Sequence, residues 1–259
     1  MEHILLFLLG IFVGAFGTLI GVGGGFIIVP MLLVVYHASP ALAVGTSLCV
    51  VAFNSISGSV SYARQRRIDY RTGLIFALST VPGALLGSSL IDYIPAATFD
   101  VSFGIFLLFV AVYIFLKPER NPGDNGKPET HVFDSSQRLA FNMPLGIFVS
   151  FLVGFLSSMA GIGGGIVHVP AMIYLFNFPP FIAVATSHFI LAISSTIGSG
   201  SHAVLGHVMW DKLPGLAVGA VIGAQLGAKH SHKVRSLYVI RGLAIAVIFV
   251  AVRLIVKHL

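Results

Sequence analysis

The sequence predicts an all-α polytopic membrane protein of two inverted repeats, each of about five helical segments, with glycine-broken half-helices meeting near the midplane. Three observations predict it. Of 259 residues, 56% are hydrophobic and 9% charged, against about 25% charged in a typical soluble domain. Long apolar runs, most near the roughly 20 residues of a spanning helix, fill most of the chain. Two of these runs are interrupted by the same glycine cluster, Gly21-Val22-Gly23-Gly24-Gly25 and Gly161-Ile162-Gly163-Gly164-Gly165.

Charge and cysteine usage narrow the class further. The formal net charge is +6, but the basic residues sit in short loops between apolar runs. The cytoplasmic bias of Lys and Arg in membrane proteins accounts for them without a nucleic-acid partner. Cys49 is the single cysteine, so no internal disulfide forms. The N-terminus lacks a basic segment before its apolar run and reads as a retained helix rather than a signal peptide.

In order, apolar runs fall at about residues 4–20, 25–36, 40–62, 73–91 and 98–116, and again at 141–160, 165–177, 180–204, 213–228 and 236–256. Between the two sets lies a stretch rich in Pro, Gly, Asn and charge, which cannot be buried in lipid. The chain thus divides into transmembrane repeat 1 at 1–116, a polar cytoplasmic linker at 117–138, and transmembrane repeat 2 at 139–259. The segments after each glycine cluster are short. At about 1.5 Å per residue they fall well short of a hydrocarbon core about 30 Å thick.

Without a gap, the first half matches the second from Gly14 to Gly87, Gly21 falling on Gly161. Pro30 matches Pro170, Thr46-Ser47 matches Thr186-Ser187, and Gly83 and Gly87 match Gly223 and Gly227. Shared leucines would be trivial; glycines, prolines and a Thr-Ser pair in register are not. The basic excess changes place between halves. Arg64, Arg66, Arg67 and Arg71 occupy one loop of the first half, while its counterpart near Gly206–Lys212 has one Lys and one Asp. The following loop has no Lys or Arg in the first half but Lys229, Lys233 and Arg235 in the second. Opposite orientations follow, which needs an odd number of segments per half and hence a true break at the glycines. The four-arginine loop and the linker then face the cytoplasm and both termini lie outside. Arg253 and Lys257 run against that placement.

Irregular backbone at membrane depth is tolerated only where protein or a water-filled cavity satisfies it. Inverted repeats with broken helices bind substrate at half-helix ends. The helices starting near Gly24 and Gly164 present N-termini, with free N–H groups and partial positive charge. Gly23, Gly24, Gly25, Gly163, Gly164 and Gly165 are therefore candidate anion-binding positions. Close helix packing is the plain alternative. Neither cluster continues into the Gly-Lys-Ser/Thr of a phosphate-binding loop.

Thr46, Ser47, Thr186 and Ser187 lie early in matching helices; their hydroxyls either donate to an anion or bond to backbone. Asn54 is polar at mid-helix depth, with Ser194 as its counterpart in the repeat, and is a candidate to line the binding cavity; a hydrogen bond between helices is the plain alternative. The histidines break the symmetry: His168 replaces Ile28, His188 replaces Leu48 and His202 replaces Tyr62. Ionisable groups at membrane depth are expensive and often functional, and histidine can couple anion movement to protons. A neutral histidine bonded to one carbonyl is the plain alternative. His230 and His232 fall in a loop and read as solvated.

The duplicated Gly-x-Gly-Gly-Gly-x-x-x-x-Pro, followed by Pro and Ala-Val-x-Thr-Ser, resembles the TauE/SafE sulfite exporter family, also called the toluene sulfonate uptake permease family. The resemblance implies a multi-pass plasma-membrane (bacterial inner-membrane) carrier for sulfite, sulfoacetate or another organosulfonate, linked to the proton gradient. Residue by residue it points to Gly21–Gly25, Thr46-Ser47, Gly161–Gly165 and Thr186-Ser187. Partners are then a small anion, protons and the bilayer; no cofactor or metal is implied, and the oligomeric state is open. A passive anion channel of the same fold is the competing function. An intramembrane hydrolase fits poorly: Ser187 and His188 are adjacent on a helix and point about 100° apart, and there is no HExxH zinc signature.

Overall fold

Nine α-helices carry the chain among the described residues, which in this computed structural model are 2–116 and 142–231 with positions 248, 251, 252 and 256. They are α1 (Glu2–Ile20), α2 (Gly25–Val35), α3 (Pro40–Arg64), α4 (Tyr70–Leu90), α5 (Ala96–Leu116), α6 (Met143–Ala160), α7 (Gly165–Tyr174), α8 (Pro180–Val204) and α9 (Leu213–His230). The linker at 117–138 and most of the expected tenth segment at 236–256 lie outside the described residues, as do His232, Lys233, Arg235, Arg253 and Lys257.

Local chemistry sets the boundaries. Proline occupies the first turn of α3, α6, α8 and α9, where its missing N–H costs nothing. Asp69 caps α4, accepting from Arg71 N and Thr72 N, and Asn142 caps α6 by accepting from Leu145 N. Among the described residues, five helical segments are long and apolar enough to cross a membrane: Glu2–Ile20, Pro40–Arg64, Tyr70–Tyr93, Met143–Ala160 and Pro180–Val204. Helices α2 and α7, at 11 and 10 residues, are not.

Backbone geometry recurs along the chain at a fixed interval. The described residues with positive φ fall into five pairs, each separated by the same interval: Gly21 and Gly161, Gly23 and Gly163, Gly24 and Gly164, His37 and Asn177, Arg66 and Gly206. Helix packing follows the same relation with the partners exchanged. Helix α1 packs on α9 and α6 packs on α4, while α3 and α8 cross at the centre. These contacts are made by small residues, which let backbones approach closely. Gly10 and Gly14 meet Leu216 and Ala220, and Gly83 and Gly87 meet Phe151 and Phe155.

Specific contacts give each helix a direction. Helix α3 begins with Gly45 against His207 and ends with Gln65 donating to Ala228 O. Helix α8 begins with Thr186 accepting from Asp69 N and ends with His202 against His207. The two central helices therefore run oppositely. Likewise α1 runs alongside α9, Gly215 meeting His3 and Gly227 meeting Ala15, and α6 alongside α4, Gly146 meeting Phe76 and Gly87 meeting Phe155. One end of the molecule gathers the arginine loop and the end of α9. There the buried Arg67 donates to Ser231 Oγ at 2.9 Å and lies over the Phe181 ring. Burial holds its guanidinium below the ordinary arginine pKa. The other end gathers Glu2, Asp92, His207 and Lys212. Exposed Leu8, Phe12, Leu74, Leu78, Phe148 and Leu152 form the lipid-facing surface of the outer helices.

Candidate functional site

The two glycine breaks lie against one another at the α3–α8 crossing. A Cβ on Gly25 would collide with the carbonyl oxygen of Gly161, and one on Gly165 with that of Gly21. The segments thus pass head to tail, each helix start facing a carbonyl of the opposite break. Gly24 and Gly164 are the N-cap residues of α2 and α7, at φ 85 and φ 73, and neither helix has a side-chain cap. Only glycine adopts that left-handed conformation without strain. Two buried helix N-termini, with their partial positive charge, are brought together without a cationic side chain.

Serine and threonine divide their tasks identically in the two halves. Ser47 Oγ donates to Gly161 O at 2.7 Å, and also reaches Gly25 O at 3.3 Å. Ser187 Oγ donates to Gly21 O at 3.1 Å. Each serine pins a break. Thr46 and Thr186 point the other way: Thr46 Oγ1 accepts from Met209 N and Thr186 Oγ1 from Asp69 N, each fastening the loop of the other half. Ser47→Ala leaves the buried Gly161 carbonyl one partner short, so it should lower stability by about 1–3 kcal/mol. Thermal melts of the purified protein would check this, and an unchanged midpoint would contradict it.

Asn54 belongs to the first break, its Nδ2 donating to Gly23 O at 3.1 Å. Thr18 Oγ1 donates to Asn54 Oδ1 at 3.2 Å, and His188 Nε2 lies 3.1 Å from Thr18 Oγ1. The hydroxyl hydrogen is already used on Asn54, so His188 is the donor and holds its hydrogen on Nε2. Its Nδ1 has no hydrogen-bond partner. Ser194, the counterpart of Asn54, is also buried. His168 is placed differently. Its Nε2 is 3.2 Å from Ser150 Oγ on α6, its ring stacks on Phe76 of α4, and its Nδ1 is buried without a hydrogen-bond partner. These contacts set it against α6 and α4.

Two apolar residues that composition did not single out occupy the centre. A Cβ on Gly23 would lie 2.8 Å from Leu191 Cδ2 and 2.9 Å from Val51 Cγ1. One on Gly163 would lie 2.6 Å from Val51 Cγ1 and 3.4 Å from Leu191 Cδ2. Val51 and Leu191 are equivalent positions of the repeat and both are fully buried. They fill the space between Gly23 and Gly163. Their equivalence could have marked them in sequence, but alignment of two apolar residues carries no chemical signal. An open cavity of about 460 Å³, lined by Ser61, Arg64, Gln65, Gln225, Leu226 and Lys229, lies instead beside the arginine loop. Among the described residues, no three His, Cys, Asp or Glu side chains are grouped to hold a metal.

Comparison with known proteins agrees with this architecture. Residues 6–254 match the family described as sulfite exporter TauE/SafE. The probable membrane transporter protein YunE of Bacillus subtilis is 36% identical over 98% of each chain. The probable membrane transporter protein MJ0441 of Methanocaldococcus jannaschii is 29% identical over 89% of this chain and 86% of its own. A probable membrane transporter protein of a Sinorhizobium species, ORF9, is 30% identical over 95% and 92%. No solved structure matches. The relatives are named probable membrane transporter proteins, and five segments among the described residues here are long and apolar enough to span a bilayer. The chain belongs to the TauE/SafE family and is a multi-pass plasma-membrane transporter.

Proposed function

We propose that the protein carries a small sulfur-containing anion, such as sulfite, sulfoacetate or another organosulfonate, bound between the two glycine breaks and exchanged against protons. The observation that carries this reading is the pair of buried helix starts at Gly24 and Gly164, without side-chain caps and each set against a carbonyl of the opposite break. An anion is the natural partner of such ends. It would be held by Gly23–Gly25 and Gly163–Gly165, with Ser47, Ser187 and Asn54 positioning the backbone around it. In the closed state the opposing Gly21 and Gly161 carbonyls stand at the helix starts, and Val51 and Leu191 separate the breaks. Transport requires these residues to part. The two halves, 1–116 and 139–259, insert in opposite senses, with the arginine loop and the 117–138 linker cytoplasmic.

Flux in proteoliposomes tests the function. A panel of sulfite, sulfoacetate, taurine-derived sulfonates and sulfate should show uptake of at least one sulfur anion, enhanced and made concentrative by a pH gradient. Flux that ignores the gradient and never concentrates would make the protein a passive channel; no flux of any sulfur anion would end the substrate assignment. His168→Phe bears on the proton side. Phenylalanine keeps the ring stack on Phe76 while removing the titratable nitrogen, so the fold should persist and the pH profile of flux should change. An unchanged profile returns His168 to a packing role.

A further inference from the structure

A chain of three ionisable side chains runs from the surface into the protein at the end opposite the arginine loop. Asp92 is half-exposed, at 50% of its side-chain surface; His207 is 10% exposed; His202, near the end of α8, is completely buried. His202 Nε2 is 3.0 Å from Ser158 O, His202 Nδ1 is 3.1 Å from His207 Nδ1, and His207 Nε2 is 3.0 Å from Asp92 Oδ1.

Hydrogen-bond logic fixes the number of protons these contacts need. A carbonyl only accepts, so His202 Nε2 carries a hydrogen. A neutral imidazole has one N–H, which leaves His202 Nδ1 an acceptor and makes His207 Nδ1 the donor. The contact between His207 Nε2 and Asp92 then needs a further hydrogen, either on the imidazole or on the carboxyl. Two neutral imidazoles and a carboxylate are one proton short. Without it, two nitrogen lone pairs face each other between the histidines, a lone pair faces the carboxylate, or the His202 Nε2 lone pair faces the Ser158 carbonyl with only the Ser158 hydroxyl, 3.5 Å away, to donate to it.

We propose that His202, His207 and Asp92 form a proton-binding site whose contacts close when one proton is bound and open when it leaves to water through Asp92. Other ionisable groups do not replace this arrangement. The charges acting on His202 among the described residues are His207 and Asp92. From α6 the facing group is Ser158, and Lys212 in the same loop as His207 pairs with Glu2 and Asp211. Among the described residues, the positions matching the two histidines hold Tyr62, which donates to Thr18 O, and Arg67, which donates to Ser231 Oγ.

Its position connects it to the second glycine break. The loop bearing His207 packs its carbonyl on Gly45 and donates from Met209 N to Thr46 Oγ1. The next residue, Ser47, holds Gly161 O. Opening the histidine contact removes the side-chain tie between this loop and the end of α8, leaving the backbone bond from His207 N to His202 O. A consequence for transport rests on the proposed anion-carrier reading; the proton site does not.

Nitrogen-15 NMR of histidine-labelled protein in lipid nanodiscs tests the site without any substrate. The His202–His207 N–H···N bond should give a scalar coupling at about pH 5.5 that is lost by about pH 8, across the range where histidine changes charge. His207→Gln should abolish it at both. Asp92→Asn should keep it at both, because the amide N–H donates to His207 Nε2 and no proton needs to be gained. Absence of the coupling in the wild type at both values, its undiminished persistence at the higher one, or its loss there in Asp92→Asn would overturn the proposal. In sulfite-loaded proteoliposomes, Asp92→Asn should also flatten the pH profile. A wild type that moves no sulfite sinks the substrate reading while leaving the NMR result standing.

Discussion

Valine at Gly24 or Gly164 should abolish transport while the protein still reaches the membrane. Both positions are left-handed, at φ 85 and φ 73, where a β-branched residue is a strong outlier and any non-glycine costs about 1–3 kcal/mol. Space compounds the strain: a Cβ on Gly24 would strike the Val13 side chain and lie 2.9 Å from its carbonyl oxygen, and one on Gly164 would lie 2.7 Å from Val153 Cγ1. The helix start must move, and with it the N–H groups proposed to hold the anion. The outer contacts of α1 with α9 and of α6 with α4 lie elsewhere, so insertion should survive. Gly200→Ala is the matched control. That glycine has open space around its Cβ position, and alanine in a helix is favoured by about 1 kcal/mol. Membrane abundance, detergent monodispersity and flux, measured together, separate the effects. Normal flux in Gly24→Val would end the binding-break idea, as would an equal loss in Gly200→Ala.

Opening the centre should have the reverse effect. Replacing both Val51 and Leu191 by alanine removes the side chains that fill the space between Gly23 and Gly163. In the proposed transport cycle the closed state depends on them and an open state does not, so the double variant should shift toward opening. Leu→Ala in a core costs about 2–5 kcal/mol. Part of that loss falls on the closed state relative to the open one, and each 1.4 kcal/mol so transferred is roughly tenfold in the equilibrium. Flux per reconstituted molecule should rise by about that factor, with larger sulfonates admitted. Phe at Leu191 should slow it. If the alanine variant only loses folded protein and its flux per molecule is unchanged or lower, the two residues are core filling and not a gate.

Much of the fold is legible in the chain itself. Helix existence follows from apolar run lengths, because lipid demands them. The offset between Gly21 and Gly161 carries paired backbone geometry down to His37 and Asn177, since similar local sequence meets the same local sterics. The short lengths of α2 and α7 follow from glycines that end a helix. Thr46 and Ser47 stand out as a pair, but adjacent residues on a helix face different neighbours. One bonds a loop and the other a break, and no spacing rule says which.

Membrane class, duplication and the two glycine breaks are determined by the sequence alone, because each is a local or periodic property of the chain. Tertiary structure decided what stands at the centre and how the ionisable side chains are paired. Val51 and Leu191 meet only because α3 and α8 cross, and Asp92 reaches His207 only because the loop after α8 folds against the turn after α4. Both depend on contacts between residues more than 100 apart. No local pattern encodes such contacts; the packing of opposed helices does.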